Sequence, residues 1–137
     1  MSAVDFLDTN ILVYSYDIVD LRRQAIAQNF VDQALDGDFI ISEQVLAEFA
    51  TTLLHKMAPS ITPASLPRIL DALGPIRTIG TDAGMVRRAV AATEAYGLDF
   101  YDGLMIAAAE RAGSETISSE DFYAGQKYLG ITVRNPF

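Results

Sequence analysis

The sequence predicts a three-layer α/β/α sandwich around a short, mostly parallel central sheet. Short apolar runs bounded by polar residues alternate with helical patterns of about ten to fifteen residues, as in strands joined by crossover helices. Gly103–Ala109 is apolar on nearly every side, which suits a helix in the middle of a layered fold. The run Val4–Val13 is apolar but broken by Asp8 and the polar step Thr9-Asn10, so it reads as a buried strand presenting a carboxylate at its end. In open parallel sheets, ligands bind in the crevice outside the carboxyl ends of the strands. Asp8 is expected to face that crevice; taken alone, capping the helix near Ile11 is the more ordinary use of such a residue, and three further acids decide between the two.

The elements follow in order. After the short helix at Ile11–Tyr14, Asp20 or Leu21 opens a helix to about Asp36, with Gly37 as its C-terminal cap. Phe39–Ile41 is a second strand, stopped by Ser42, which can cap the next helix. That helix spans Glu43 to about Met57, ahead of Pro59, with an apolar stripe through Val45, Leu46, Phe49, Leu53, Leu54 and Met57. Glu48 lies beside this stripe, at the edge of the core. Thr62-Pro63 begins a further helix with Pro63 in its first turn, and Gly74-Pro75 ends it. Ile76–Ile79 reads as an edge strand. Thr81 or Asp82 then caps a helix closed by Gly97. Leu98–Asp102 is a polar-aromatic turn leading into the apolar helix, and Asp102 stands where that helix begins. Thr116–Ser118 and Ile131–Val133 complete the strands, with Ser119-Glu120-Asp121-Phe122 directly after the first of them.

The 137 residues fit a single domain, 1–137, able to remove about two-thirds of its extended-chain surface from water. Half the residues are apolar, which describes a compact globule and not a disordered chain. No cysteine is present, so disulfides and thiolate metal sites are excluded. No apolar run reaches membrane-spanning length and the start of the chain is acidic, so a cytoplasmic address without membrane contact is expected. The formal charge of -8 opposes unspecific binding to nucleic acid and suits a basic partner. It leaves room for a nuclease whose acids are gathered around cations.

Asp8 and Asp121 each follow a predicted strand, Asp102 begins a helix after a turn, and Glu48 lies one turn into a helix that follows a strand. In a parallel sheet all four come near one edge. Four carboxylates brought together repel one another, and a hard divalent cation, Mg2+ or Mn2+, removes that cost. The expected chemistry is activation of water for attack on a phosphodiester.

The ordered set of segments Phe6–Tyr14 (FLDTNILVY), Ser42–Phe49 (SEQVLAEF), Phe100–Ala109 (FYDGLMIAAA), Ser118–Phe122 (SSEDF) and Val133–Phe137 (VRNPF) resembles the PIN-domain family, most closely the VapC-type toxins of bacterial toxin–antitoxin pairs. The likeness spans nearly the whole chain. It implies that Asp8, Glu48, Asp102 and Asp121 are the acidic, metal-holding and catalytic set, with Asn10 and Ser119 supporting it. It also implies cleavage of RNA, often tRNA or rRNA, with Mg2+ or Mn2+, a homodimer, and silencing by a VapB-type antitoxin whose tail enters the groove. Gly103 departs from the alanine common in such toxins; a glycine there weakens the helix and permits closer approach.

Other residues carry two readings. Asp99 is either a fifth acid or, preferably, a helix cap. Glu120 is expected to face solvent. His55 suits a contact at its helix C-terminus better than acid–base chemistry. The pairs Arg22-Arg23 and Arg87-Arg88 are solvated helix faces or phosphate contacts. Tyr14, Tyr16, Phe100 and Tyr101 can stack on bases or pack. The competing functions are a PIN-type nuclease with a housekeeping RNA or DNA substrate, and a non-catalytic interaction module in which the acids are caps.

Overall fold

A computed structural model describes residues 4–56 and 61–137. Among the described residues six strands and six helices follow in the order β1 (Asp5–Leu7), α1 (Thr9–Tyr14), α2 (Leu21–Leu35), β2 (Phe39–Ser42), α3 (Glu43–Lys56), α4 (Leu66–Leu73), β3 (Arg77–Ile79), α5 (Ala83–Tyr96), α6 (Phe100–Arg111), β4 (Thr116–Ser118), β5 (Lys127–Tyr128) and β6 (Ile131–Arg134). The sheet order is β3-β2-β1-β4-β6-β5, and every neighbouring pair is parallel except β5 with β6. The predicted α/β/α sandwich is the observed fold.

This order sets the position of the site. From β1 the chain moves to β2 and β3 on one side, then crosses back to place β4 on the other side of β1. Right-handed crossovers in opposite directions put their helices on opposite faces of the sheet. The point where the direction reverses is the β1–β4 boundary, and the crevice beyond the strand ends opens there.

Both faces of β1 are covered, and Phe6 and Leu7 are fully buried, as parallel strands under two helical layers require. Ile41, Ile117 and Val133 extend this core along the neighbouring strands. The helix α6 buries every residue from Gly103 to Ala109, as its unbroken apolar sequence predicts. Gly103 permits a close approach to α5: a Cβ built there would lie 2.8 Å from the Ala89 carbonyl oxygen and 3.0 Å from Thr93 Oγ1.

The caps follow from local chemistry. Asp20, Ser42 and Asp82 accept from the backbone amides of Arg23, Val45 and Met85 at 3.0, 3.3 and 2.9 Å. Asp82, and not Thr81, therefore starts α5, and Gly97 ends it in the left-handed conformation at φ 67°.

Four details differ from the sequence reading. The helix α1 begins at Thr9, because Asp8 occupies the N-cap and its carboxylate accepts from the Thr9 amide. The helix α4 begins at Leu66 with Pro67 in its first turn, because Thr62 and Ser65 bond to one another in a separate turn before it. The helix α6 begins at Phe100, so the expected turn over Leu98–Asp102 is already partly helical. The hairpin of β5 with β6 was not foreseen; its two connecting residues, Leu129 and Gly130, both have positive φ, 50° and 81°. The expected end of α3 at Met57 and Pro59 lies outside the described residues.

Candidate active site

Asp8 follows β1 directly. Its backbone amide donates to the Ser118 carbonyl at 3.0 Å, extending the β1–β4 pairing by one step. The side chain is then turned inward at the crevice, with only 3 % of the residue exposed. Thr9 N donates to Asp8 Oδ1 at 2.5 Å, and Ser119 Oγ donates to Oδ2 at 2.5 Å. The same Ser119 hydroxyl accepts from the Asp121 amide at 3.0 Å. Asn10 Nδ2 donates to Asp121 Oδ2 at 2.8 Å. One serine and one asparagine thus join the end of β1 to the loop after β4.

Glu48 comes from the helix after β2 and is half-buried. Gln44, one turn earlier, donates from Nε2 to Glu48 Oε1 at 2.7 Å. Asp102 projects from the first turn of α6 and is also half-buried. Asp99 occupies the N-cap position of that helix, but its carboxylate makes no capping hydrogen bond. Its charge instead raises the pKa of both Glu48 and Asp102.

The electrostatics show which acids share the crevice. Burial is the largest influence on Asp8 and, with the charges of Asp121 and Glu48, pushes its carboxyl up to about 7 against the hydrogen bonds from Ser119 and Thr9. Glu48 is raised first by burial and then by Asp102, Asp121 and Asp99, while the Gln44 hydrogen bond opposes the shift. Asp102 is raised by burial, then by Asp99 and Asp121. The charges acting most strongly on these three acids are all carboxylates.

The four acids therefore meet electrostatically at the β1–β4 crevice, with Asp99 at its rim. They are not packed around a point. Among the described residues no three Asp, Glu or His side chains stand close enough to grip one ion in this geometry. Asp8, Glu48 and Asp121 are each drawn to a separate hydrogen-bond donor. The donor set nevertheless fits a hard divalent cation: oxygen ligands of one sign, one of them deeply buried, with carboxylates as their strongest charged neighbours.

Several neighbours behave differently from expectation. Glu120 does not face solvent; it accepts from the Tyr14 hydroxyl and pairs with Arg23, whose guanidinium lies 5.0 Å from the Tyr14 ring centroid and 5.2 Å from that of Phe137. Arg88 is held by Glu110, with N···O distances of 2.8 and 2.9 Å. His55 is exposed in the last turn of α3. Tyr16 packs against Phe49, whereas Tyr101 is 59 % exposed beside Asp102. The sequence reading missed Gln44, although its spacing of four from Glu48 on one helix marks a pair that can interact.

Beside Asn10 opens a groove of about 570 Å³, lined in part by Val13, Tyr14, Tyr16, Ile18 and Val19. Among the described residues no helix is long and apolar enough to cross a membrane.

The PIN-domain sequence family matches residues 6–124, a span that contains all four acids and the Thr9, Asn10, Gln44 and Ser119 groups that hydrogen-bond to them. The chain belongs to the PIN-domain family. This PIN domain is also similar in structure to FitAcB from Neisseria gonorrhoeae, with a TM-score of 0.70 and 18% identity over 96% of this chain and 97% of that one. A toxin–antitoxin complex from Klebsiella pneumoniae matches with a TM-score of 0.65 and 22% identity, covering 99% of this chain and 98% of that one. A Mycobacterium tuberculosis VapC toxin, described as cleaving the sarcin-ricin loop, matches with a TM-score of 0.67 and 18% identity over 93% and 98% of the two chains. No curated protein matches this PIN domain significantly.

Proposed function

We propose that this PIN domain is a divalent-cation-dependent endoribonuclease, the toxin of a toxin–antitoxin pair acting in the cytoplasm. The observation that carries the reading is the buried Asp8 carboxylate at the sheet's switch point, with its pKa near neutrality and other carboxylates as its strongest charged neighbours. A site of that kind calls for a cation to offset its charge. Asp8, Glu48, Asp102 and Asp121 would hold Mg2+ or Mn2+, which when bound lowers the pKa of water and offsets charge on a scissile phosphate.

The chain's own groups prepare that site. Ser119 and Thr9 fix both oxygens of Asp8, and Asn10 fixes one oxygen of Asp121. Asp8 carries a partial proton near pH 7 and must release it as a cation enters. Asp99, free of a capping bond, adds negative charge at the rim. The exposed Tyr101 ring beside Asp102 suits stacking on an unpaired base, which favours a single-stranded loop such as those of tRNA or rRNA.

The toxin role and the partners are inferred from the neighbouring folds, among them a toxin–antitoxin complex and an RNA-cleaving VapC toxin. The apolar groove beside Asn10, with Ile18 and Val19 exposed at its edge, suits a segment of a VapB-type antitoxin. A homodimer is proposed from the resemblance to VapC-type toxins.

Incubating the purified protein with total RNA and Mg2+ or Mn2+, then mapping new ends, tests the reading. The expected result is a small set of discrete ends that EDTA abolishes. RNA left intact with either cation, or cut equally in EDTA, overturns it.

A further inference from the structure

Gln44 reaches from α3 to α6. Its Nε2 donates to Glu48 Oε1 at 2.7 Å and to the carbonyl oxygen of Tyr101, the residue before Asp102, at 2.9 Å. Both amide protons are thereby committed. The Oε1 of the same amide is buried and finds no hydrogen-bond partner among the described residues. Turning the amide over would set that oxygen against two acceptors, so its orientation is fixed by the donors. Unpaired buried polar atoms are rare because they are costly, and this one follows from using one amide to hold two acceptors on different helices.

We propose that Gln44 is a positioning residue of the acidic site: its amide ties the Glu48 carboxylate to the α6 backbone at Tyr101 and so sets the separation of Glu48 from Asp102. This inference rests on the nuclease reading above. A neutral amide suits the task, because it orients a carboxylate without cancelling the charge that a cation needs. Lysine or arginine at this place would occupy the carboxylate as a competing cation. Hydrogen-bond donors that orient metal-holding carboxylates act on cation affinity as well as on packing.

The test compares wild type with Gln44→Met, which keeps the length but lacks both donors, and Gln44→Glu, which replaces donors with a further negative charge. Mn2+ affinity is measured by calorimetry, and kcat and KM are measured on single-stranded RNA at saturating Mn2+. Gln44→Met is expected to weaken Mn2+ binding about 10- to 100-fold. It should also lower kcat while leaving KM for RNA unmoved, and Gln44→Glu should lose more of both Mn2+ affinity and kcat. Lowered Tm with unchanged Mn2+ affinity and kcat shows a helix clip only and overturns the proposal. Should both variants fail to fold, Mg2+ titration of the wild type, followed by NMR at the Gln44 side-chain amide, decides instead. A shift of those protons as the cation binds supports the role, and their indifference overturns it. Absence of Mn2+ binding by the wild type removes the nuclease reading and this inference with it. Tight binding by wild type and Gln44→Met alike removes this inference alone.

Discussion

The Ser119 hydroxyl donates to Asp8 Oδ2 at 2.5 Å, across 111 positions of sequence, and Ser119 Oγ also accepts from the Asp121 amide at 3.0 Å. This fully buried serine therefore orients two of the four acids from the two strands that flank the switch point. Ser119→Ala removes the donor and leaves the Asp121 amide without its acceptor. Such a loss costs about 1–3 kcal/mol of stability. Cleavage is expected to fall about 10- to 100-fold, since the carboxylates it orients lose their geometry. Urea denaturation and RNA cleavage on the same preparation check both numbers; full activity would show that the serine serves folding only.

Asp8→Asn should remove cleavage while keeping the fold. Asparagine caps a helix as well as aspartate does, so the start of α1 survives. The buried charge does not, and its removal relieves repulsion from Asp121 and Glu48. The variant is therefore expected to melt higher than wild type in EDTA and to cut RNA at least ~100-fold more slowly, beyond the usual loss from altering a supporting residue. A lower melting temperature in EDTA would contradict the buried repulsion.

Stability in EDTA should depend on pH in an unusual direction. The Asp8 pKa is about 7 in the folded protein against a model-compound value of 3.8, so the folded state holds a proton that the unfolded chain has released between those values. Its charged form disfavours folding, so stability falls as pH rises from about 4 to about 7, by up to about 4 kcal/mol from this group, and levels off above that. Asp82 works the other way. The Arg111 guanidinium and the Met85 amide hold it near 2, so its contribution is present above about 4 and fades as pH falls towards 2. Denaturation in EDTA at a series of pH values should place the optimum at about pH 4, where the Asp82 contribution is complete and the Asp8 loss has only begun. In Asp8→Asn the decline between about pH 4 and about pH 7 should flatten; an unchanged decline would assign it to another group.

Much of this arrangement is legible in the sequence because it rests on strong local signals. A short strand ending in Asp8, an unbroken apolar helix after Asp102, and an acid directly after β4 each mark a place in a layered fold, and the parallel topology brings those places together. What could not be read depends on contacts between distant segments. The Leu129-Gly130 turn lacks the Asn-Gly or Asp-Gly signature of a tight hairpin, and the two-residue β5 is too short to show alternation. Asp99 stands at a cap position, yet it makes no capping bond, and its charge acts on Glu48, from a distant part of the sequence, and on Asp102 of its own helix. Glu120 reads as a solvent residue until Arg23 and Tyr14 arrive from the other side of the chain.

Gly103 shows the same limit in energetic form. By helix propensity alone, Gly103→Ala should stabilise α6 by about 1 kcal/mol. The added Cβ, however, would lie 2.8 Å from the Ala89 carbonyl oxygen, a backbone atom that cannot turn aside. Overpacking of this kind costs about 1–3 kcal/mol, so the net effect is expected to be destabilising by about 1 kcal/mol. Movement of α6 away from α5 would also displace Asp102, lowering cleavage. Thermal unfolding decides the sign, and a stabilised variant would show that the two helices can separate freely.

Calorimetric titration of Mn2+ into the wild type and into Asp8→Asn, Glu48→Gln, Asp102→Asn and Asp121→Asn tests the shared acidic site most directly. The wild type should bind, with proton release near pH 7, and each amide variant should bind at least ~10-fold more weakly. A wild type that takes up no cation, or four variants that bind as tightly as it does, would contradict a single site made by these four residues.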